Sequence, residues 1–388
     1  MAQLIETRDL VTNFYTYEGV VKALNRVSLV IDRGSTFGLV GESGCGKSVT
    51  ARSMMRIVQE PGRIESGKIL FYPEENDGEV VDLLRQTEAY MEELRGDQIS
   101  MIFQEPNAAL NPIMSIGDQV AESFLFHRKK EMYEKVLDDL KTGKGRTSDI
   151  YGKWLMFLYA RAAKDPGDPL CRFLGKVPFV SRWQKALKRE ARRRSVEIIS
   201  ALDIPNPEQV VDRYPHNLSG GMKQRIVIAM ALACSPVLLI ADEATSNLDV
   251  TIQAQILDLL RKLKKEEISS ILLITHDLGV VAETCDRVGV MYAGNVCEVA
   301  DVKPLFRNPL HPYTRALLDA VPKFSMEGRL RSIEGNVPNL VSPPGGCRFH
   351  PRCPVRVEKC SREMPDMVDM GGGHLVACHQ AKALNSPA

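Results

Sequence analysis

The chain has 388 residues, 44% apolar and 26% charged, which leaves room for two or more domains and is ordinary for a globular protein. A formal net charge of +1 excludes a global electrostatic bias toward nucleic acid or membrane, and no apolar run approaches the roughly 18 residues of a membrane span. The start, MAQLIETRDL, lacks the basic and apolar segments of a signal peptide, so the chain is expected in the cytosol, where disulfides are rare and its nine cysteines need another explanation.

Residues 1–35 alternate apolar and polar positions in places and read as antiparallel strands ending at the turn Asp32-Arg33-Gly34. A short buried strand, Thr36 to Val40, then leads into Gly41 to Ser48, GESGCGKS, and on to a helix expected over Ser48 to Val58. This is the full phosphate-loop pattern in its strand–loop–helix setting. Gly41, Gly44 and Gly46 permit the tight backbone turn that aims N–H groups at phosphate oxygens, and the helix start adds a positive dipole end. Lys47 reaches outer phosphates and the Ser48 hydroxyl suits Mg²⁺. Gly41, Ser43, Gly44, Cys45, Gly46, Lys47, Ser48 and Val49 are the candidate contacts. Tyr17, ahead of the loop, could stack on an adenine base, although a plain surface or strand tyrosine is the simpler reading of that residue alone.

Gly67 to Tyr72 reads as a strand, residues 74–95 as an acidic loop with a short helix, and Ile99 to Gln104 as a strand closing on glutamine. Residues 127–194 differ in composition: 19 Lys/Arg against 8 Asp/Glu give +11, so the remainder sums to −10. Both tryptophans, Trp154 and Trp183, fall there. Residues 153–164 could form an amphipathic or buried helix. The stretch is either a helical insertion with a solvated basic face, the commoner case, or an interfacial element touching anionic lipid.

Leu218-Ser219-Gly220-Gly221 opens an apolar helix from Ile226 to Cys234 and offers a second anion site of free N–H groups, a hydroxyl and a dipole end. Read alone it is equally an N-cap. Val237 to Ala241 is a fully apolar strand of the central parallel kind, and it ends in Asp242-Glu243. Acids at the carboxyl end of such a strand sit where α/β sheets bind ligands. Asp242 suits the Mg²⁺ shell, and Glu243 suits the orienting of an attacking water. A helix from Val250 to about Glu266 follows, then the strand Ile271 to Thr275, ending in His276-Asp277, where His276 could donate to a γ-phosphate.

Phosphate loop, glutamine strand end, LSGGMKQR, ADE and ITHD, in that order, resemble the ATP-binding cassette (ABC) ATPases over residues 1 to about 320. The resemblance implies an α/β fold with a mostly parallel sheet, an antiparallel β-layer at its start and a helical subdomain between about 105 and 234. It implies two cassettes paired head to tail, with ATP and Mg²⁺ between the phosphate loop of one and the LSGG of the other. Ser219, Gly220 and Gly221 would then face the partner's nucleotide, Tyr17 would stack on adenine, and Asp249 would lie across the dimer interface. Gln104 would join Ser48 and Asp242 around Mg²⁺, and Glu243 and His276 would carry the chemistry. Asn247, where many members have alanine, is the one departure. ATP hydrolysis is the activity implied, and a soluble ABC ATPase acting on nucleic acid is the alternative.

After an ABC domain of residues 1–321 comes an extension, 322–388. NPLHPYTRALLDAVP, EGNVPNL and PPGGCRFHPRCP resemble the C-terminal extension of oligopeptide/dipeptide importer ATPases, whose members import peptides, nickel complexes or di- and oligosaccharides. That resemblance implies two permease subunits, a second, different ATPase subunit, an extracellular solute-binding protein, and a peripheral place on the cytoplasmic face of the membrane. No nucleic acid is implied. Cys347, Cys353, Cys360 and Cys378 are spaced C-x5-C-x6-C-x17-C, without the C-x2-C pair of zinc ribbons. Four thiolates in a reducing compartment suggest a Cys₄ site. In the family such a set is associated with a [4Fe–4S] cluster in some members, and zinc or free thiols are the alternatives. The other five cysteines read as small apolar residues.

Overall fold

The computed structural model describes residues 2–73, 79–142, 150–176, 183–244, 250–266, 270–320 and 333–384. The chain divides into two compact units. Met1–Arg95, Met101–Gln104 and Val237–Ala388 form the first, and Gly96–Ser100 with Glu105–Pro236 form the second.

The strands are β1 (Gln3–Thr16), β2 (Gly19–Asp32), β3 (Thr36–Val40), β4 (Gly62–Phe71), β5 (Val81–Asp82), β6 (Ile99–Ile102), β7 (Leu238–Asp242), β8 (Ser270–Ile274), β9 (Arg287–Tyr292), β10 (Asn295–Asp301), β11 (Val368–Asp369) and β12 (Leu375–Val376). Four form an antiparallel layer in the order β2-β1-β4-β5. The others form a second sheet in the order β11-β12-β10-β9-β3-β8-β7-β6. At the centre of this sheet, β3 (TFGLV), β7 (LLIAD) and β8 (SILLI) are buried at every position. Strands covered on both faces need such continuous apolar runs. They pair in parallel, with Phe37 opposite Leu272 and Ile240 opposite the same Leu272. Because β3, β8 and β7 are neighbours, the turns leaving their carboxyl ends lie side by side. Those turns begin at Gly41, Thr275 and Glu243.

The helix after the loop is Lys47–Met54, shorter than the expected span to Val58. Arg56 takes a left-handed φ of 52°, and the Ile57 N–H closes back on the Arg52 carbonyl. This is the geometry that ends helices.

The extension adds β11 and β12 to the sheet, with Val376 opposite Glu298 on β10. Glu298 is fully buried. Its carboxylate accepts the N–H groups of Leu310 (2.7 Å) and His311 (3.0 Å) and lies 2.6 Å from His374 Nε2. Burial pushes this carboxyl up, but His374, Thr314 and the two amides leave it below its ordinary value. A second attachment lies on β2, where the Lys22 N–H donates to the Leu340 carbonyl and Arg348 donates to the carbonyls of Lys22 and Ala293. Phe349 completes an aromatic group with Tyr292 and Tyr313, at centroid distances of 5.1 and 5.4 Å.

The second unit is helical. Ile116–His127, Lys129–Lys141, Ile150–Lys164, Gln184–Ala201 and Gly220–Leu232 are its longer helices. Helix Ile150–Lys164 is amphipathic. Leu158, Tyr159, Ala162 and Ala163 are buried while Phe157 is exposed. Tyr133, Tyr159 and Trp183 pack together in the interior, and the Tyr159 hydroxyl donates to the Trp183 carbonyl. Part of the local positive charge is paired. Glu190 takes Arg193 and Arg194, Arg161 meets Asp168, and Arg192 meets Asp212.

Candidate nucleotide site

The Gly41–Ser48 loop is shaped by its glycines. Gly41, Gly44 and Gly46 have φ of 150°, 76° and 106°, in the region that disfavours other residues. A Cβ on Gly41 would stand 2.1 Å from the Met291 carbonyl oxygen, so the loop lies directly against β9. Ser43 and Gly44 form the exposed crest, while Cys45, Gly46 and Lys47 are buried and Val49 is half-buried in the helix. Burial pushes the Cys45 thiol up, as befits an apolar filler. The Lys47 side chain turns back beneath the loop. Its Nζ donates to the carbonyls of Gly41 (2.7 Å) and Glu42 (3.1 Å).

At the end of β7, Asp242 is 1% exposed and accepts the Ser48 hydroxyl at 2.8 Å. Burial raises its carboxyl above the ordinary value, against the Ser48 hydrogen bond. Glu243 follows in a left-handed conformation, φ 48°, rare for a residue other than glycine and typical of working sites. Its N–H still donates to the Ile274 carbonyl, so the backbone stays in the sheet while the side chain is redirected. Its carboxylate accepts the Gln104 amide at 2.7 Å and lies 3.7 Å from His276 Nδ1. Lys47, Ser48, Gln104, Asp242, Glu243 and His276 are thus brought to one end of one sheet.

Other residues singled out by the sequence fall elsewhere. Tyr17 occupies the turn between β1 and β2 and is 98% exposed. Ser219, Gly220 and Gly221 belong to the second unit. Ser219 is the N-cap of helix Gly220–Leu232 and accepts the Met222 N–H at 3.4 Å, so that helix starts a turn and a half before the expected Ile226. Asn247 and Asp249 lie outside the described residues.

The extension and the helix Pro312–Asp319 before it close behind the loop. Arg352 pairs with Glu42, at 2.8 and 3.1 Å, and the Tyr313 hydroxyl accepts the Glu42 N–H at 2.9 Å. Sequence reasoning missed both contacts. Glu42 is an unspecified position of the loop pattern, and nothing marks Arg352 as its partner 310 residues away.

Cys347, Cys353, Cys360 and Cys378 line one small cavity together with His311, His350 and His379. Among the described residues no set of three or more His, Cys, Asp or Glu side chains is arranged for metal ligation. Burial pushes Cys347 up to about 11 and raises Cys353 and Cys378 as well. Among the described residues no helix is long and apolar enough to cross a membrane.

Residues 24–246 match the family described as ABC transporter, and residues 297–360 match the oligopeptide/dipeptide transporter C-terminal region. The dipeptide transport ATP-binding protein DppD of Bacillus subtilis is 39% identical over 380 residues, covering 97% of this chain and 95% of that protein. The oligopeptide transport ATP-binding protein AppD of the same organism is 39% identical over 383 residues, covering 97% of both chains. Among solved structures, the ATP-binding cassette MJ0796 bound to ADP and Pi, a dimer in a post-hydrolysis state, covers 77% of this chain and 99% of its own at 21% identity and a TM-score of 0.54. At that identity the likeness concerns the fold. With sheet, loop and both family regions in agreement, the chain belongs to the ABC transporter family as an ATPase subunit carrying the oligopeptide/dipeptide transporter C-terminal region.

Proposed function

We propose that this ATPase powers uptake of small peptides through a membrane permease, and that hydrolysis takes place at the carboxyl ends of β3, β7 and β8. The observation that carries the reading is the convergence of Ser48–Asp242 and Gln104–Glu243–His276 on one sheet edge, in a chain that also carries the oligopeptide/dipeptide C-terminal region. The relatives named for dipeptide and oligopeptide transport favour peptides over sugars or nickel complexes. They also weigh against an ATPase acting on nucleic acid.

In this reading the loop amides from Gly41 to Val49 hold the phosphates, and Lys47 Nζ exchanges its two carbonyl partners for β- and γ-phosphate oxygens. Tyr17 stacks on the base. Ser48, Gln104 and Asp242 hold Mg²⁺, which neutralises phosphate charge when bound. The Glu243 carboxylate orients and polarises the attacking water. Gln104 fixes that carboxylate and links it to the permease side, and His276 donates toward the γ-phosphate. Ser219, Gly220 and Gly221 serve the nucleotide of a second cassette, with Asp249 at the same interface. That second cassette is a related but different subunit, and the assembly includes two permease chains and an extracellular binding protein on a membrane whose cytoplasmic face this subunit occupies. The 1–321 and 322–388 division separates the catalytic domain from the family extension.

The four extension cysteines supply the soft donors a [4Fe–4S] cluster takes, with Zn²⁺ second. Either would cross-link a segment poor in core of its own. Protein purified without air should be brown and contain iron and sulfide. A colourless protein with one zinc would reverse that order.

Extraction of the subunit from native membranes in mild detergent tests the whole. Co-purification of two permeases and a second cassette, with peptide-stimulated ATPase activity, is the expected result. Recovery in the soluble fraction with DNA would refute the transport reading.

A further inference from the structure

The Arg352 guanidinium lies in the extension, in the short turn His350–Arg352 and immediately before Cys353, yet it faces the phosphate loop. Its side chain is 5% exposed, and all five of its N–H donors have partners. Nη1 donates to Glu42 Oε2 (2.8 Å) and to the Tyr292 hydroxyl (3.2 Å). Nη2 donates to Glu42 Oε1 (3.1 Å) and to the Ile333 carbonyl (3.1 Å), and Nε donates to the Glu334 carbonyl (2.9 Å). The two bonds to Glu42 form the planar fork that a lysine cannot reproduce.

Glu42 is the second residue of GESGCGKS, and each of its polar groups is held. Its N–H meets the Tyr313 hydroxyl, its carbonyl accepts both Lys47 Nζ (3.1 Å) and the Cys45 N–H, and its carboxylate meets Arg352. Behind it, Tyr292, Tyr313 and Phe349 pack at 4.7 to 5.4 Å between centroids, all 2% exposed or less. A carboxylate beside an anion site is a liability, because once loose it repels phosphate and competes for the lysine. Arg352 neutralises that charge and holds the carboxylate in place with two hydrogen bonds.

We propose that Arg352 is a positioning residue of the nucleotide site: through Glu42 it sets the phosphate loop and keeps Lys47 available to phosphate, so the C-terminal region is a working part of ATP binding. This rests on the reading of GESGCGKS as the ATP-binding loop. A role confined to stability would lower the melting temperature and leave nucleotide affinity in the folded fraction alone. A positioning role changes affinity, and neutralising Glu42 then offsets part of the loss.

The test is equilibrium binding of a fluorescent ATP analogue with Mg²⁺ to the full-length chain, with KM and kcat for phosphate release. R352A should weaken binding ten-fold or more and raise KM by a similar factor, with kcat at saturation changed less than three-fold. The double variant R352A/E42Q should recover at least half of that loss on a logarithmic scale. R352K, which keeps the charge without the fork, should fall between R352A and the unaltered protein. Should R352A fail to fold, R352K and R352K/E42Q read the same cycle, with a three-fold loss and its partial recovery expected. Binding by R352A or R352K within two-fold of the unaltered protein overturns the proposal, as does a double variant no better than its single parent. K47A separates the two readings. If it binds the analogue as well as the unaltered protein, the loop assignment itself has failed. If K47A loses binding while the Arg352 variants keep it, only the role of Arg352 has failed.

Discussion

Two sets of cations, one beneath the phosphate loop and one in the second unit, are partnered differently. Beneath the phosphate loop, Lys47 is 5% exposed and donates to two neutral carbonyls. In the second unit, Arg193 and Arg194 converge on Glu190, itself 6% exposed. A cation held by carbonyls keeps its full charge for an incoming anion, whereas one held by a carboxylate has already been neutralised. The same amino-acid class thus does two jobs, and the partner reveals which. Composition alone does not make this distinction. The +11 of residues 127–194 looks like the electrostatic feature of the chain, yet several of its arginines are paired within the unit. The single ammonium of Lys47 is the charge placed for use.

The largest effect should come where charge develops during reaction. Glu243→Gln keeps the shape of the side chain and its contact with Gln104 but removes the base. Steady-state phosphate release should fall by about 10²- to 10³-fold, with Mg-ATP affinity within a few-fold of the parent. Lys47→Ala should do the reverse and lose affinity first, by roughly ten-fold or more. Normal turnover in the Glu243 variant would remove that carboxylate from the mechanism and leave the left-handed φ at residue 243 without a purpose.

The middle effect should be one of stability. Burial pushes the Glu190 carboxyl up, and hydrogen bonds from Arg193 and Arg194 more than reverse this, leaving it below its ordinary value of 4.5. A carboxyl depressed in the native state contributes stability above its unfolded value, and that stability is lost as pH falls through the native value. Glu190→Gln should therefore destabilise the second unit at neutral pH by about 2 kcal/mol, held to that size because Arg193 stays half-exposed. The difference from the parent should shrink as pH drops below about 4.5. Urea unfolding at pH 7 and pH 4, followed by tryptophan emission, reads both. Mg-ATP affinity should not move. A large loss of affinity in this variant would mean that the arginines are not merely structural, and the contrast with Lys47 would fail.

How much of this was legible in the sequence follows from chain distance. The loop, Asp242-Glu243 and His276 are contiguous motifs at the ends of apolar strands, and parallel pairing of β3, β8 and β7 follows from those strands being apolar throughout. Their convergence could therefore be read in advance. The left-handed turn at Glu243 left no mark, because glutamate has no preference that announces it. The contact of Arg352 with Glu42 was equally silent, since it joins an unspecified loop position to a residue in a Pro- and Cys-rich tail. The tail's cysteines drew attention to metal, while its Arg352 is what touches the loop. In the insertion, the sequence showed the charge without the carboxylates that take it up, because Glu190 meets Arg193 and Arg194 one helical turn on but Arg192 reaches Asp212 from a different element.

The smallest expected effect concerns the base of the nucleotide, where Tyr17 has the aromatic residues Phe14 and Tyr15 close by in the chain. The structure gives these rings different surroundings. Phe14 lies within paired strand, opposite Val21 and Gly62. The Tyr15 hydroxyl donates to Glu65 at 2.7 Å, and Arg63 sits 5.7 Å from its ring centroid, so its face and its polar end are both engaged. Tyr17, at the turn between β1 and β2, is 98% exposed. Stacking of a base on an aromatic ring is worth about 1–3 kcal/mol, and an exposed turn should deliver the low end of that range. Tyr17→Ala should thus weaken Mg-ATP binding several-fold and Tyr17→Phe should leave it unchanged, since only the ring face is used. Tyr15→Ala should loosen the strand pair without selectivity for the base. Comparing ATP with inorganic triphosphate separates these outcomes: the Tyr17 effect should vanish for triphosphate, which has no base, whereas a disturbance of the loop would weaken both ligands alike.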